Sequence, residues 1–303
     1  MSSPPTVPAL PGAKQQNLGE RMKHWAIMRL VAYVVATGVI VVATGLTARF
    51  LVPAAPPLRH HDLLMLTNFS SAIALLVCYA LLVGWLERRR AAELDLRKGL
   101  PLLLVGSAVG LGLIGAVYFI LWCLGLATFA AGTGLDGLLG VLVATFAAAS
   151  LEELVFRAVL FRIVEEATGT AWAIAVSAIA FGLAHGLNPG TTVLSMAAIA
   201  LEGGVMFSLA YVASRNLWLP IGIHMSWNFA EGSVFGAQVS GFRASHSMFQ
   251  SALSGPALLT GGSFGPEASV IAMVMCTVAA SAFAIMIVRR GAWQTHRLRF
   301  RLA

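Results

Sequence analysis

Two adjacent carboxylates and an arginine stand inside an apolar stretch of this chain. Glu152, Glu153 and Arg157 lie within residues 135–164, a run long enough to cross a lipid bilayer. An ionisable side chain at that depth costs at least about 2.5–3.5 kcal/mol on insertion scales, so such residues usually serve a function or pair with one another. On a helix, Glu153 and Arg157 are four positions apart, in the order that favours an ion pair.

Glu152 has no such partner in its own helix, because it points about 100° away from Glu153 around the helix axis. A free carboxylate inside the membrane is suited to general-base catalysis, which is one interpretation of this residue. The alternative is a single structural ion network of Glu152, Glu153 and Arg157. These three residues alone leave both interpretations open.

Two histidines and an asparagine add groups that could act together with Glu152. His185 ends the segment Phe181-Gly-Leu-Ala-His185, and His224 opens the segment His224-Met-Ser-Trp-Asn228. His224 and Asn228 are four residues apart and therefore share one face of a helix. A single histidine in an apolar segment is compatible with a packing role, but this set supplies a base, two imidazoles and an amide donor. These groups are sufficient for water to attack a carbonyl carbon.

Sequence patterns of other hydrolases that act inside membranes are absent. No histidine is followed by glutamate, which excludes the HExxH zinc helix. Asp62 and Asp136 lie at the edges of apolar segments, so a buried aspartate dyad is not expected. Ser240 and Ser254 each precede glycine, but neither lies in a Gly-x-Ser-Gly sequence. Chemistry based on glutamate and histidine remains.

The composition indicates an all-α polytopic membrane protein. Of the 303 residues, 58% are hydrophobic and only 11% are charged, whereas soluble domains carry about 25% charged residues. The net charge of +7 does not indicate nucleic-acid binding, because the basic residues lie in tails and loops beside apolar segments. Cys78, Cys123 and Cys276 all lie in apolar runs and are expected to be packing residues rather than disulfides or metal ligands.

About eight segments are candidates for membrane-spanning helices. Most reach the roughly 20 residues that a bilayer requires. The excess of basic residues in alternate connections predicts that both the N- and the C-terminus lie in the cytoplasm. No apolar signal-peptide segment precedes the first span. The predicted spans are 26–51, 63–86, 100–128, 135–164, 170–187, 192–213, 217–231 and 269–288.

The chain is accordingly divided into four parts. Residues 1–25 are expected to be a loose cytoplasmic tail, 26–128 a set of N-terminal helices, and 129–240 the catalytic membrane core. Residues 241–303 are expected to hold an outer loop, the last helix and a basic cytoplasmic tail. The Gly-, Ser- and Pro-rich segment 232–268 is interpreted as an outer loop or re-entrant stretch with no assigned chemistry.

The apolar segments contain two more acidic residues, Glu202 and Glu231, and the predicted spans place the candidate catalytic residues at different depths. Glu202 either lines a cavity or bonds to a neighbouring helix, and we favour the helix partner. Glu231 is expected to be interfacial. With straight spans and about 1.5 Å per residue, Glu152 and His224 fall nearer the cytoplasmic side and His185 nearer the outside, so a displaced helix or a deep cavity must join them.

The three segments, taken in order, resemble the signature of the CPBP family of intramembrane endopeptidases. The resemblance rests on Glu152-Glu153-x3-Arg157, Phe181-x3-His185 and His224-x3-Asn228, and on Asn216-Leu-Trp-Leu-Pro220 before the third. This family includes type II CAAX prenyl proteases and the bacterial Abi, or bacteriocin-immunity, proteins. The resemblance covers about residues 130–240.

The resemblance implies roles for the site residues. Glu152 and His185 would activate a water molecule, and His224 and Asn228 would stabilise the tetrahedral oxyanion, with Glu153 and Arg157 as support. It also allows one zinc ion held by Glu152, His185 and His224, because three protein ligands plus water is the usual catalytic arrangement. A mechanism without metal, with Glu152 as base, is equally compatible.

The expected partners are membrane lipids and a peptide or protein substrate, and no nucleic acid is expected. In one version of the hypothesis, the substrate is itself anchored in the membrane. The expected location is a bacterial plasma membrane, which the protein crosses several times. A non-enzymatic peptide-binding or immunity protein on the same fold is the alternative function. A transporter is disfavoured because the sequence shows no internal repeat.

Overall fold

The computed structural model describes the backbone of residues 12–54 and 60–295, and the side chains of 25–50 and 62–295. Residues 1–11 and 296–303 of the two predicted tails lie outside these ranges. Residues 12–25 form the beginning of the first helix. This segment is rich in Lys, Gln, Glu and Arg, which are good helix formers in water.

Helices make up most of the described chain, and two small two-stranded sheets lie beside them. The helices are α1 Gly12–Ala54, α2 His60–Leu86, α3 Leu96–Cys123, α4 Leu138–Glu153, α5 Arg162–Thr168, α6 Thr170–Ala184, α7 Val193–Ile199, α8 Phe207–Ser214, α9 Trp218–Phe229, α10 Ala257–Thr260 and α11 Val270–Arg289. The strands are β1 Ala127–Ala131, β2 Gln238–Val239, β3 Phe242–Arg243 and β4 Phe249–Leu253.

Seven of the predicted spans are long and apolar enough, as helices of the described chain, to cross a membrane. The ends of these seven lie within five residues of the predicted ends. The eighth predicted span, 217–231, is helical but shorter than expected. Its α-helical part, α9, has 12 residues. The all-α polytopic architecture is confirmed, and the count of full-length spans is seven rather than eight.

Three π-helical segments interrupt these helices. Leu154–Phe161 joins α4 to α5, Ala200–Met206 joins α7 to α8, and Ala230–Val234 extends α9. Because a π turn inserts a residue into the helical register, it redirects the side chains beside it, and such turns are frequent at functional sites. Each of the three contains or adjoins a residue that the sequence marks as a candidate for chemistry.

Close packing of α3 on α9 fixes the position of the helix that carries His224. A Cβ added at Gly106 would collide with the carbonyl oxygen of Leu219, and one at Gly110 with that of Ile223. Glycine is therefore required at both positions, as the small residues of α3 predict for close helix contact. Gly112, on the same helix, meets nothing within 4 Å of its added Cβ.

A group of six charged side chains ties α1, α2 and α5 together at one end of the bundle. Glu87 accepts hydrogen bonds from both guanidinium nitrogens of Arg162, at 2.6 and 2.8 Å. Glu166 in turn accepts from Arg29 at 2.7 Å. The anchoring network, as we name it, consists of Arg29, Glu87, Arg89, Glu93, Arg162 and Glu166.

The segment 232–268 is folded rather than irregular. β4 pairs antiparallel with β1, which follows α3, so the segment returns to the helical bundle. The loop between β2 and β3 carries Ser240, whose backbone N–H and hydroxyl both donate to Glu267 Oε1, at 2.5 and 2.7 Å. Sequence alone assigned this segment no chemistry, whereas the fold brings Ser240 and Glu267 to the cavity described below.

Candidate active site

Glu152, at the end of α4, faces the two histidines that the sequence singled out. Its Oε2 lies 3.8 Å from His185 Nε2 and 3.9 Å from His224 Nε2. Both distances are too long for a direct hydrogen bond, and this buried oxygen has no hydrogen-bond partner in the described structure. The Glu152 side chain as a whole is 29% exposed, although its Oε2 atom is buried.

His185 is held in one orientation by the last turn of α6. Its Nδ1 lies 2.8 Å from the carbonyl oxygen of Phe181. Since a carbonyl oxygen only accepts, Nδ1 carries the proton of this bond. In the neutral imidazole, Nε2 is then an acceptor directed toward Glu152.

His224 is held by the other glutamate of the pair. Its Nδ1 lies 3.0 Å from Glu153 Oε1, an oxygen that also accepts from Arg157 Nη1 at 3.1 Å. Because the same Glu153 oxygen accepts from Arg157, we assign His224 Nδ1 as the donor in its bond. His224 Nε2 is thereby turned toward Glu152.

Arg157 is buried completely, together with Glu153, and forms the ion pair expected from their spacing. Its second terminal nitrogen donates to the carbonyl oxygen of Gly203. The guanidinium also lies 4.5 Å from the ring centre of Phe181 and 5.4 Å from that of Phe207, within the range of cation–π attraction. We call Glu152, Glu153, Arg157, His185 and His224 the site cluster.

The depth difference predicted between Glu152 and His185 is not present. The chain reverses at Gly169, between α5 and α6, and the two residues lie nearly the same number of residues before and after this turn. Two antiparallel helices joined by a one-residue connection bring such positions to the same level. The prediction was wrong because it aligned the ends of all spans with the membrane surfaces, whereas the connection itself sets the register.

A cavity adjoins the site cluster and has Asn228 in its wall. His185, His224, Asn228, Glu202, Ser240 and Glu267 are among the residues that line it. The structure thus brings together all four residues expected to be catalytic. Asn228 lies one turn after His224 and faces the same space.

The structure corrects the expectations for the two additional acids. Glu202 lines the cavity, and its buried Oε1 has no hydrogen-bond partner in the described structure, so the favoured helix partner is not found. Glu231 is fully buried rather than interfacial. Its carboxylate accepts from Trp227 Nε1 at 3.0 Å and from the backbone N–H of Glu267 at 3.1 Å, because segment 232–268 folds over it.

Glu267 is a site residue that the sequence reasoning missed. Burial raises the pKa of its carboxyl above the usual value, and hydrogen bonds from Ser240 together with the nearby His185 oppose that rise. Glu267 lies in a Gly-rich segment without a motif, just before α11. The one signal available in the sequence was an acid next to the start of an apolar span.

The site was tested for the zinc ion that the family resemblance allows. Tetrahedral ligands at 2.0–2.1 Å from zinc are about 3.3 Å apart. The separations here, 3.8 and 3.9 Å, are wider. Within the described residues, no group of three or more His, Cys, Asp or Glu side chains is arranged to hold a metal ion. The residues as placed do not fit zinc, so no catalytic step is derived through it.

Comparison with known protein families gave one match. Residues 134–230 match the family model described as type II CAAX prenyl endopeptidase Rce1-like. The matched region contains the whole site cluster and Asn228. No curated protein and no solved structure matches the chain. Type II CAAX prenyl endopeptidases are proteases of the CPBP family, so the match confirms the resemblance drawn from the three segments.

Proposed function

Because residues 134–230 form a domain of the CPBP protease family, we propose that this protein hydrolyses a peptide bond within the membrane, with Glu152 and His185 activating the attacking water. One observation carries the proposal. The unpartnered Oε2 of Glu152 faces the Nε2 atoms of two imidazoles, each fixed through its other nitrogen. A buried acceptor without a partner requires an explanation, and a bound water or a catalytic role is one.

The distances around Glu152 favour a bound water molecule. The separations of 3.8 and 3.9 Å between Glu152 Oε2 and the two histidine Nε2 atoms are longer than a direct hydrogen bond. A water molecule, however, can lie about 2.8 Å from Glu152 Oε2 and about 2.8 Å from a histidine Nε2 at the same time. Glu152 accepts a proton from this water as its oxygen attacks the carbonyl carbon. His185 Nε2 accepts a hydrogen bond from the same water and orients it.

His224 and Asn228 are proposed to bind the oxyanion of the tetrahedral intermediate. They lie one turn apart and share the cavity wall, so both can point at one oxygen. The amide of Asn228 donates without any change of charge. His224 donates from Nε2 in its protonated form, whose positive charge is compensated by Glu153 at Nδ1. Donors preorganised in this way are among the largest contributions to catalysis of acyl transfer.

Glu153 and Arg157 act through His224 in this proposal. Their ion pair fixes the oxygen that receives the His224 Nδ1–H bond, and Arg157 ties that pair to Gly203 on the facing helix. The tetrahedral intermediate then collapses as the leaving amine takes a proton from the carboxyl of Glu152. The substrate is a peptide segment that reaches the site from the membrane, and prenylated CAAX peptides are one class to be tested.

The deciding experiment is a cleavage assay with the full-length protein in lipid nanodiscs. Synthetic peptides with and without a prenyl anchor are incubated in heavy-oxygen water, and the products are identified by mass spectrometry. The proposal expects cleaved peptides that carry one heavy oxygen in the new carboxyl group. Glu152→Gln should remove this activity.

Asp136→Asn serves as a matched control, because Asp136 is exposed and is not among the residues that line the cavity. This variant should cleave like the native protein. If the native protein binds peptides but never cleaves them under any of these conditions, the non-enzymatic peptide-binding function replaces the peptidase.

A further inference from the structure

The cavity beside the site cluster is small. The volume that it offers to water is about 30 Å³. Because one buried water molecule requires roughly 10–15 Å³ of such volume, the cavity has room for about two or three water molecules. A long side chain of a substrate does not fit into this space. The size of the cavity therefore selects solvent as its ligand.

Glu202 is the carboxylate of this cavity that lacks a partner. Its side chain is only 5% exposed, and no hydrogen bond in the described structure reaches its buried Oε1. Glu202 lies on the π-helical segment Ala200–Met206 and lines the cavity. A buried oxygen without a donor is costly, and ordered water commonly satisfies such an atom. Glu202 thus requires a donor from inside the cavity, and the volume restricts that donor to water.

Further polar groups surround the same space. Asn228, Ser240 and Glu267 line the cavity, and a buried water generally needs about two to four polar partners. The hydroxyl of Ser240 donates to Glu267 Oε1 at 2.7 Å, so the protein itself holds this part of the wall in place. Ile199 and Phe207 contribute apolar surface. Since a cavity lined by apolar groups alone stays dry, the polar groups are what make this cavity a site for water.

Two imidazoles belong both to the cavity and to the site cluster. His185 and His224 line the cavity, and their Nε2 atoms lie 3.8 and 3.9 Å from Glu152 Oε2. Water in the cavity and water at Glu152 therefore have the same side chains as neighbours. Each peptide bond that is hydrolysed consumes a water molecule, and the surrounding helices are apolar enough to lie in a membrane. A store of water beside the site meets this requirement.

We propose that Glu202 is a positioning residue that holds ordered water in this cavity, from which the water consumed at Glu152 is replaced. The proposal rests on the proposed function, because it concerns the nucleophile of that reaction. Glu202 does not touch the substrate and acts only through water, whose O–H group donates to its Oε1. After each cleavage a water molecule moves from the cavity to Glu152, and bulk water refills the cavity.

X-ray footprinting tests for this water without requiring cleavage. Short X-ray pulses on the full-length protein in lipid nanodiscs convert bound water into hydroxyl radicals in place, and mass spectrometry locates the side chains that they oxidise. Phe181 lines the cavity and is only 2% exposed. Phe161 is a matched control, because it is also buried but lines neither cavity found in the described structure. We expect Phe181 to be oxidised several-fold faster than Phe161.

Variants of Glu202 connect this labelling to its carboxylate. Glu202→Leu removes the acceptor oxygen with little change in size and should lower the labelling of Phe181 to the level of Phe161. Glu202→Gln keeps an acceptor oxygen and should restore the labelling. If Glu202→Leu does not fold, Glu202→Met takes its place. Equal labelling of the two phenylalanines in the native protein, or labelling of Phe181 that does not depend on Glu202, would overturn the proposal.

Steady-state cleavage then tests whether the water serves the reaction. Glu202→Leu should lower kcat by about tenfold, the effect of losing about one hydrogen bond. Its KM should change little, since the cavity is too small to take up part of the substrate. Its melting temperature should not fall, because the variant removes a buried polar group. Glu202→Gln should recover most of the lost kcat. A lower melting temperature in Glu202→Leu without recovery of kcat in Glu202→Gln would show a purely structural role.

The two measurements separate this proposal from the one it rests on. Peptide cleavage with native kcat in Glu202→Leu overturns the role of Glu202 and leaves the peptidase intact. Labelling of Phe181 that depends on Glu202, in a protein that cleaves no peptide, keeps Glu202 as the residue that holds the water and rejects the peptidase.

Discussion

The anchoring network and the site cluster both place carboxylates and guanidinium groups inside an apolar helical bundle. In the anchoring network, both oxygens of Glu87, Glu93 and Glu166 accept hydrogen bonds. In the site cluster, Glu152 and Glu153 each keep one buried oxygen without a partner, and Glu202 in the adjoining cavity keeps another.

This difference separates groups that hold the fold from groups that are available to a substrate. A carboxylate with both oxygens bonded is stabilised in its ionised form and has nothing left to offer a ligand. A carboxylate with an open oxygen carries a desolvation penalty that only a water molecule or a substrate relieves. In the described structure, the carboxylates of the anchoring network are therefore saturated, whereas Glu152, Glu153 and Glu202 keep open oxygens, and Glu202 lines the cavity.

The largest expected effect is on catalysis by Glu152. Glu152→Gln removes the base but preserves size, so the rate of cleavage should fall by about 10²–10⁴-fold or to background, with unchanged thermal stability. Peptide cleavage and melting temperature in the same nanodisc preparation measure both quantities. Activity within a few-fold of the native protein would mean that Glu152 supports the fold, as the carboxylates of the anchoring network do, and is not the catalytic base.

Loss of Arg157 from the site cluster should destabilise the protein more than loss of the partly exposed Arg89 from the anchoring network. Arg157→Ala leaves Glu153 buried without a partner and should cost about 3–5 kcal/mol, with loss of activity because His224 also loses its fixed acceptor. Arg89→Ala, in which the side chain is 33% exposed, should cost nearer ~1 kcal/mol. Melting curves of both variants provide the comparison. An Arg157→Ala protein that is inactive but as stable as native would show that Arg157 binds substrate instead of supporting Glu153.

The two oxyanion donors should act as a unit. Asn228→Ala should lower kcat by about 10²–10³-fold with little change in KM, because the donor acts on charge that develops only in the transition state. The double variant with His224→Ala should be far less impaired than the product of the two single effects. Steady-state kinetics of the native protein, the two single variants and the double variant provide this double-mutant cycle. A normal kcat in Asn228→Ala would mean that Asn228 has a role only in helix packing.

The smallest expected effect is the pH dependence of the anchoring network. Burial alone raises the pKa of Glu87, but hydrogen bonds from Arg162, Tyr33 and Arg89 outweigh it and lower the pKa to about 2. A depressed pKa adds stability that is present above the unfolded value of about 4.5 and is lost as the pH falls toward 2. Glu87→Gln should therefore melt at a lower temperature than the native protein at pH 7, because the neutral amide loses the ion pairs with Arg162 and Arg89.

The melting temperatures of the two proteins should converge between pH 4.5 and pH 2 if Glu87 is the titrating group. Parallel curves across that range would mean that the stability of the anchoring network does not depend on this ionisation. Cleavage activity of Glu87→Gln at pH 7 should remain near native, since Glu87 belongs to the saturated group of charges.

The sequence alone was sufficient to predict the features that depend on the spacing of residues within one helix and on the transfer of side chains from water into the bilayer. Apolar runs of about 20 residues predict spans, because the bilayer sets their length. The spacing of Glu153 and Arg157 predicts their ion pair, because the helical period brings such positions together. The three segments around Glu152, His185 and His224 resemble the CPBP signature, and the family match over residues 134–230 confirms that resemblance.

The tertiary structure decided what depends on residues distant in the chain. The turn at Gly169 sets Glu152 and His185 at one level, which no count within a single span reveals. Segment 232–268 folds back through the pairing of β1 with β4 and adds Ser240 and Glu267 to the cavity. Glu202 lies on the π-helical segment Ala200–Met206 and lines this cavity, whereas local spacing alone had favoured a partner on a neighbouring helix.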